Sequence, residues 1–196
     1  FPTIAVPKAE ELVATPYRHG GKKNAEIFFL TGMTKAIQQM ANQSVVGFPV
    51  TIYYAFKQAE ISKEGTSSTG WVTFLEAVIN AGFGITGTWP MRTENGSRMI
   101  GQGSNALASS VVLVCRKKDN TANLATRREF VQALHREVPN ALRELQQAAL
   151  APVDLPQASI GPGMGIYSRY SRVVEPDGTT LSVRTALQLI NEAVDA

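Results

Sequence analysis

The chain is poor in the residues that most often carry redox, metal and disulfide chemistry. It has one cysteine, Cys115, and two histidines, His19 and His135, which most of the sequence separates. A lone cysteine excludes an internal disulfide framework, and its place in the apolar run Ser110–Cys115, SVVLVC, suits a buried, inert thiol in a reducing compartment. Two distant histidines make a zinc-type ligand cluster improbable, so no metal is expected. His135 falls in a helical pattern, where a solvated or partly packed ring is the default. No apolar run approaches the roughly 20 residues of a membrane span, and the start Phe1-Pro2-Thr3 has neither a methionine nor a signal-like core. A cytoplasmic location and a piece processed or cut from a longer chain are the expectations.

What is present is a chain of 196 residues with 44% hydrophobic content, enough for one sizeable core. A formal charge of +3 and an isoelectric point near 9.1 permit a nucleic-acid partner without specifying one.

One stretch carries the spacing of a dinucleotide loop. In Asn80–Pro90, NAGFGITGTWP, the glycines Gly82, Gly84 and Gly87 form G-x-G-x-x-G. A phosphate-cradling loop must leave a strand and open a helix. Here the order is reversed. Trp71, Phe74, Leu75, Val78 and Ile79 recur at helical spacing before Gly82, with Thr69 as a possible N-cap, and Ile85–Met91 is rich in β-formers. The pattern predicts a helix over 70–81, Gly82 as its left-handed terminator and a strand over 83–92.

The same reading gives an irregular entry over residues 1–23 and a helix over 24–42, with Ile27, Phe28, Leu30, Met33, Ile37 and Met40 on its inner face. Residues 49–57, a near-continuous β-branched and aromatic run, predict a strand buried on both faces. Polar residues 57–70 read as a loop, glycine-containing residues 93–105 as a mobile connection and 107–116 as another buried strand. A long helix is expected over 127–150, with Phe130, Val131, Leu134, Val138, Leu142, Leu145 and Ala149 inward and Pro139 bending or splitting it. Residues 152–165 look turn-rich, and a last amphipathic helix covers 181–196 after the Asp177-Gly178 turn.

Candidate binding groups are basic. Arg18, His19, Lys22 and Lys23 surround the Gly20-Gly21 pair just before a helix, a composition suited to DNA phosphates or to a solvated loop. Arg169 and Arg172, flanking Tyr170, suit phosphates and bases or the outward face of an edge strand. The Gly161–Gly165 run, GPGMG, suits a structural turn better than an anion cradle.

Four longer strings point further: Val6–Lys22, VPKAEELVATPYRHGGK; Pro49–Gln58, PVTIYYAFKQ; Gly82–Glu94, GFGITGTWPMRTE; and Ile160–Met164, IGPGM. With them, nearly the whole chain resembles the C-terminal half of the large prokaryotic adenine-specific DNA methylases that carry a zinc ribbon in their middle part. The resemblance implies a parent that uses S-adenosylmethionine to methylate an exocyclic amino group on DNA. It also implies that the cofactor loop and the Asp-Pro-Pro-Tyr catalytic motif precede the present segment. The chain has no Pro-Pro pair, and its nearest look-alike, Ala14-Thr15-Pro16-Tyr17, lacks the acidic residue, so no catalytic or cofactor-binding residue carries over.

The expected architecture is α/β. Residues 1–120 would form the C-terminal half of a Rossmann-like methyltransferase domain, with about three strands and an antiparallel terminal strand beside the first, and 121–196 a mainly helical extension packed on it. The expected partner is DNA through the full-length parent, with no membrane association. A homo-oligomer would form through the exposed edge of the strand at 49–57, central in the parent. The alternative is a non-catalytic nucleic-acid-binding or assembly module on the same scaffold.

Overall fold

The computed structural model describes residues 8–54, 69–92, 109–118, 123–147 and 155–195. Two short 3-10 turns, Lys8–Glu10 and Pro16–Arg18, lead into α1 (Lys22–Gln43) and β1 (Val50–Tyr54). Then follow α2 (Thr69–Asn80), β2 (Phe83–Arg92), β3 (Ser109–Lys117) and β4 (Leu124–Thr126). The chain continues with α3 (Arg127–Gln147), α4 (Leu155–Arg169), β5 (Arg172–Val174) and α5 (Val183–Asp195). The protein is therefore α/β. A three-stranded sheet has the order β1-β3-β2, with β3 antiparallel to both neighbours, so β1 and β2 run parallel to each other. A second, two-stranded sheet pairs β4 with β5 in parallel.

Local chemistry sets the boundaries. Gly82 takes φ +87°, and its N–H donates to the Ile79 carbonyl at 3.0 Å, closing α2 as the left-handed terminator its sequence predicts. Helix, glycine, strand is thus the observed order, and the G-x-G-x-x-G spacing belongs to a helix exit. Thr126 and Glu129 form a reciprocal cap on α3: Thr126 Oγ1 accepts the Glu129 N–H at 3.2 Å, and the Glu129 carboxylate accepts the Thr126 N–H at 2.7 Å. At α5, Ser182 Oγ accepts the Thr185 N–H at 3.1 Å.

One hydrophobic cluster joins these layers. Trp71, Phe74, Leu75 and Val78 of α2 pack with Phe83, Ile85, Leu113 and Cys115 of the sheet, while Phe130, Leu134, Met164, Leu187 and Ile190 continue the cluster through α3, α4 and α5. Cys115 is buried as expected, and desolvation pushes its thiol up to about 12. Burial on this scale is what stabilises helices whose own propensities are modest.

Several sequence expectations are corrected. Residues 155–169 are not turns but α4, with Gly161, Pro162, Gly163 and Gly165 all inside the helix. The reason is proximity. A Cβ on Gly161 would collide with the Thr88 side chain, one on Gly163 would lie 2.5 Å from Ile190, and one on Gly165 would lie 3.3 Å from the Ile85 carbonyl. Helix propensity, about 1 kcal/mol worse per glycine than alanine, is overridden by the packing that the small residues permit. Over its described residues, the run at 49–57 is not a strand buried on both faces: β1 lies at the sheet edge, with Thr51 and Tyr53 exposed and Val50, Ile52 and Tyr54 half-buried. Its inner face meets α2, where Tyr54 stacks on Phe74 at 4.1 Å.

In α1, Ile37 is buried but Ile27 and Met40 are exposed, and the helix seals itself with Ala25 and Ala41 instead. Pro139 does not split α3, which runs unbroken through it because Phe130, Leu134 and Val138 anchor the flanking turns. Of the loop expected over 57–70, Thr69 and Gly70 instead open α2; residues 55–68, the connection at 93–105, and Ala149 lie outside the described residues.

The outer edge of β2 is covered by α4. Ser168 Oγ accepts the Ile85 N–H at 2.8 Å and lies 3.3 Å from the Ile85 carbonyl, and Thr88 Oγ1 donates to the Ala158 carbonyl at 3.2 Å. Ser168→Ala leaves the buried Ile85 amide without this acceptor. It should destabilise the protein by about 1–3 kcal/mol, read as a lower urea midpoint at unchanged denaturant slope.

Candidate nucleic-acid interface

The close fit of α4 against β2 raises a wall beside the sheet. Between that wall and the strands lies an open groove of about 1220 Å³. Its floor includes Gly87, Trp89, Val114 and Arg116, and its wall includes Gly161, Ile166, Arg169 and the α3 residues Glu137 and Glu144. Two glycines line it as well: a Cβ at Gly84 would touch Ser168 and Lys118, and one at Gly87 would touch Trp89 and Val114.

Charge at the groove is uneven. Glu137 holds Arg169 bidentately, with Nη1 to Oε2 at 2.8 Å and Nη2 to Oε1 at 2.9 Å. This pair ties α3 to the end of α4. The Arg169 hydrogen bond lowers the Glu137 carboxyl to about 2, and the same bond raises the Arg169 guanidinium above its ordinary value. Arg169 also lies over the Tyr170 ring at 5.2 Å. At the other side, Arg116, Lys117 and Lys118 have no carboxylate partner among the described residues. Arg116 Nη1 donates to the Gly47 carbonyl, and Lys118 Nζ reaches the Tyr170 carbonyl at 3.4 Å. Desolvation lowers the Lys118 ammonium, the signature of a cation held partly out of water.

The basic candidates read from sequence divide between places. Arg169 lines the groove but is bonded to Glu137, at a helix end and not on an edge strand. Arg172 is exposed at the start of β5. Arg18 is engaged in the entry segment, donating to Glu11 Oε2 at 3.0 Å and to the Lys8 carbonyl at 3.2 Å, and the Lys8 hydrogen bond, with that of Arg18, holds the Glu11 carboxyl below its ordinary value. His19 Nε2 donates to the Val13 carbonyl at 3.2 Å and its ring stacks on Phe28 at 4.1 Å. Lys22 and Lys23 are exposed in the first turn of α1, not in the loop their glycine pair suggests, and Lys22 lies 4.0 Å from Glu26. Of that group, the two lysines present their charge to solvent, while Arg18 and His19 serve the entry segment.

Arg116 escaped the sequence reading because its segment read as a buried strand, while Trp89 fell in a segment read only as a strand and Lys118 just beyond the predicted one. The available signal was period two: Val112, Val114 and Arg116 alternate onto one face of β3. Among the described residues no group of three or more His, Cys, Asp or Glu could hold a metal ion, and no helix is long and apolar enough to cross a membrane. The Gly161–Gly165 run offers no anion cradle, because it lies within α4 and against Thr88 and Ile190. No known protein family matches the chain, and neither a curated protein nor a solved structure matches it.

The Glu137–Arg169 pair predicts a pH dependence. Its carboxyl titrates near 2 in the folded chain against 4.5 ordinarily, so the stabilisation is complete above about pH 5 and is lost as pH falls toward 2. With Glu137 about one-third exposed, solvent screening limits the effect to about 1 kcal/mol. Glu137→Gln should remove that part of the acid dependence, measured by thermal melts between pH 2 and pH 6.

Proposed function

We propose that the chain is the C-terminal part of an S-adenosylmethionine-dependent DNA methyltransferase acting on an exocyclic amino group, adenine being the expected base. Its role is to complete a Rossmann-like sheet and contribute DNA contacts, with the cofactor loop and catalytic motif carried elsewhere in the parent. The observation that supports this most is topological. A strand, a helix and a second parallel strand are followed by β3, which returns antiparallel between the two. This is the arrangement that the resemblance of the four strings implies. S-adenosylmethionine is then a cofactor of the parent, and DNA its partner.

The second reading, a non-catalytic nucleic-acid-binding or assembly module, is favoured by a different observation. A single hydrophobic cluster already joins the three-stranded sheet to α3, α4 and α5. A reading frame upstream of Phe1 that encodes Asp-Pro-Pro-Tyr supports the first reading, and a start codon close to Phe1 the second.

The chain alone should neither bind S-adenosylmethionine nor methylate DNA. Calorimetry should give no heat of specific binding at micromolar cofactor; a micromolar site would contradict the proposed division of labour. Among the described residues β1 ends its sheet with no strand beside it, and such an edge invites strand pairing. Light scattering should accordingly show a dimer or larger assembly at high protein concentration, and a monomer there would remove the edge from the account.

A further inference from the structure

The sheet face opposite α2 carries a row of side chains that the core does not use. Tyr53 on β1 and Trp89 on β2 both pair in register with Val112 on the central strand, so the three stand side by side on one face. Val112 is buried between them, yet Tyr53 is 64% and Trp89 65% exposed. Two large aromatic rings in water cost solvation free energy unless something covers them. Four residues along β3 from Val112, about 13 Å at strand rise, stands Arg116, on the same face and next to Lys117 and Lys118. Thr51, Gly87 and Val114 fill the interval, and the described residues of this face include no carboxylate. The acids that line the groove, Glu137 and Glu144, stand on its α3 wall, and Glu137 is already held by Arg169.

We infer that this face binds an unpaired nucleic-acid strand, its bases stacked on Trp89 and Tyr53 and its phosphates directed to Arg116 and Lys118. Aromatic platforms beside cations are the chemistry by which proteins hold single strands, since every base offers a π-face. A duplex hides its base faces within the stack and cannot use the rings. A second copy of the chain is disfavoured, because in an isologous contact its matching face offers no carboxylate to Arg116 or Lys118. The inference rests on the DNA-acting reading of the chain but not on methyl transfer. Strand binding and methylation therefore fail separately.

Trp89 gives a direct readout, because the other tryptophan, Trp71, is 1% exposed. Titrating the chain with a fluorescein-labelled oligothymidine of about a dozen nucleotides should quench the exposed indole and raise the label's anisotropy, while a duplex of equal length should not quench it. Trp89→Ala and Tyr53→Ala should each weaken binding roughly ten-fold or more. Trp89→Phe, which keeps a ring, should retain most of the affinity, and this variant together with the wild-type quench decides the matter if an alanine variant loses its fold by circular dichroism. Replacing Arg116 and Lys118 by Gln should reduce the logarithmic salt slope by about 1.4. Absence of binding at low salt, equal quenching by duplex, or affinity indifferent to Trp89→Ala would overturn the inference. So would a self-associated chain whose Trp89 emission is already shielded without oligonucleotide.

Discussion

The closeness of α4 to the edge of β2 is the constraint on which the other features depend. An edge strand presents unpaired backbone groups, and here the helix supplies a partner through the Ser168 side chain, which accepts the Ile85 N–H, while the strand's own Thr88 hydroxyl donates back to the helix carbonyl of Ala158. That geometry requires helix backbone almost in contact with strand, which in turn requires glycine where the surfaces meet. Gly161 admits Thr88, and on another face Gly163 admits Ile190 of α5. One helix thereby fixes the sheet on one side and α5 on another, while Arg169 at its end fixes α3 through Glu137. Larger side chains along this line would push all three neighbours outward.

The groove is a by-product of the same contact. Because α4 meets β2 at the strand edge and not across the sheet face, Trp89 and Val114 stay outside the helix footprint and become a floor. The bidentate pair of Glu137 and Arg169 cancels charge on the wall, which leaves the net positive character to Arg116, Lys117 and Lys118. Glu144 remains as an acid on the α3 side, opposite the basic margin and the Trp89 floor. The two exposed lysines at the start of α1 form a separate basic spot, with α2 as that helix's main neighbour.

Much of the fold was legible because its signals are local. The helical period from Trp71 to Ile79, its end at Gly82 and the strand after it can be read within a dozen residues, and the Asp177-Gly178 turn announces α5 as plainly. Helix α4 was illegible for the converse reason: glycine and proline signal a turn within the chain, and only Thr88, some 70 residues away, makes them a packing requirement. Likewise an apolar run such as Pro49–Phe56 records hydrophobicity but not the number of partners, so the edge position of β1 and the exposure of Tyr53 could not be read from it. In the site, Arg169 was legible as a cation, whereas its partner Glu137 was not, because the two meet only through the packing of α3 on α4. The row of Tyr53, Val112 and Trp89 needs the register of three strands, which no single strand contains.

Amide hydrogen exchange at Ile85 tests the central contact most directly, because this N–H points out of the sheet and toward Ser168 Oγ. If α4 seals the edge of β2, the Ile85 amide exchanges only through global unfolding, with a protection factor equal to that of the core of β3, while outward amides of β1, last in the sheet among the described strands, exchange far faster. An Ile85 amide that exchanges as fast as those on the β1 edge would contradict the account, since the helix would then not be held against the strand.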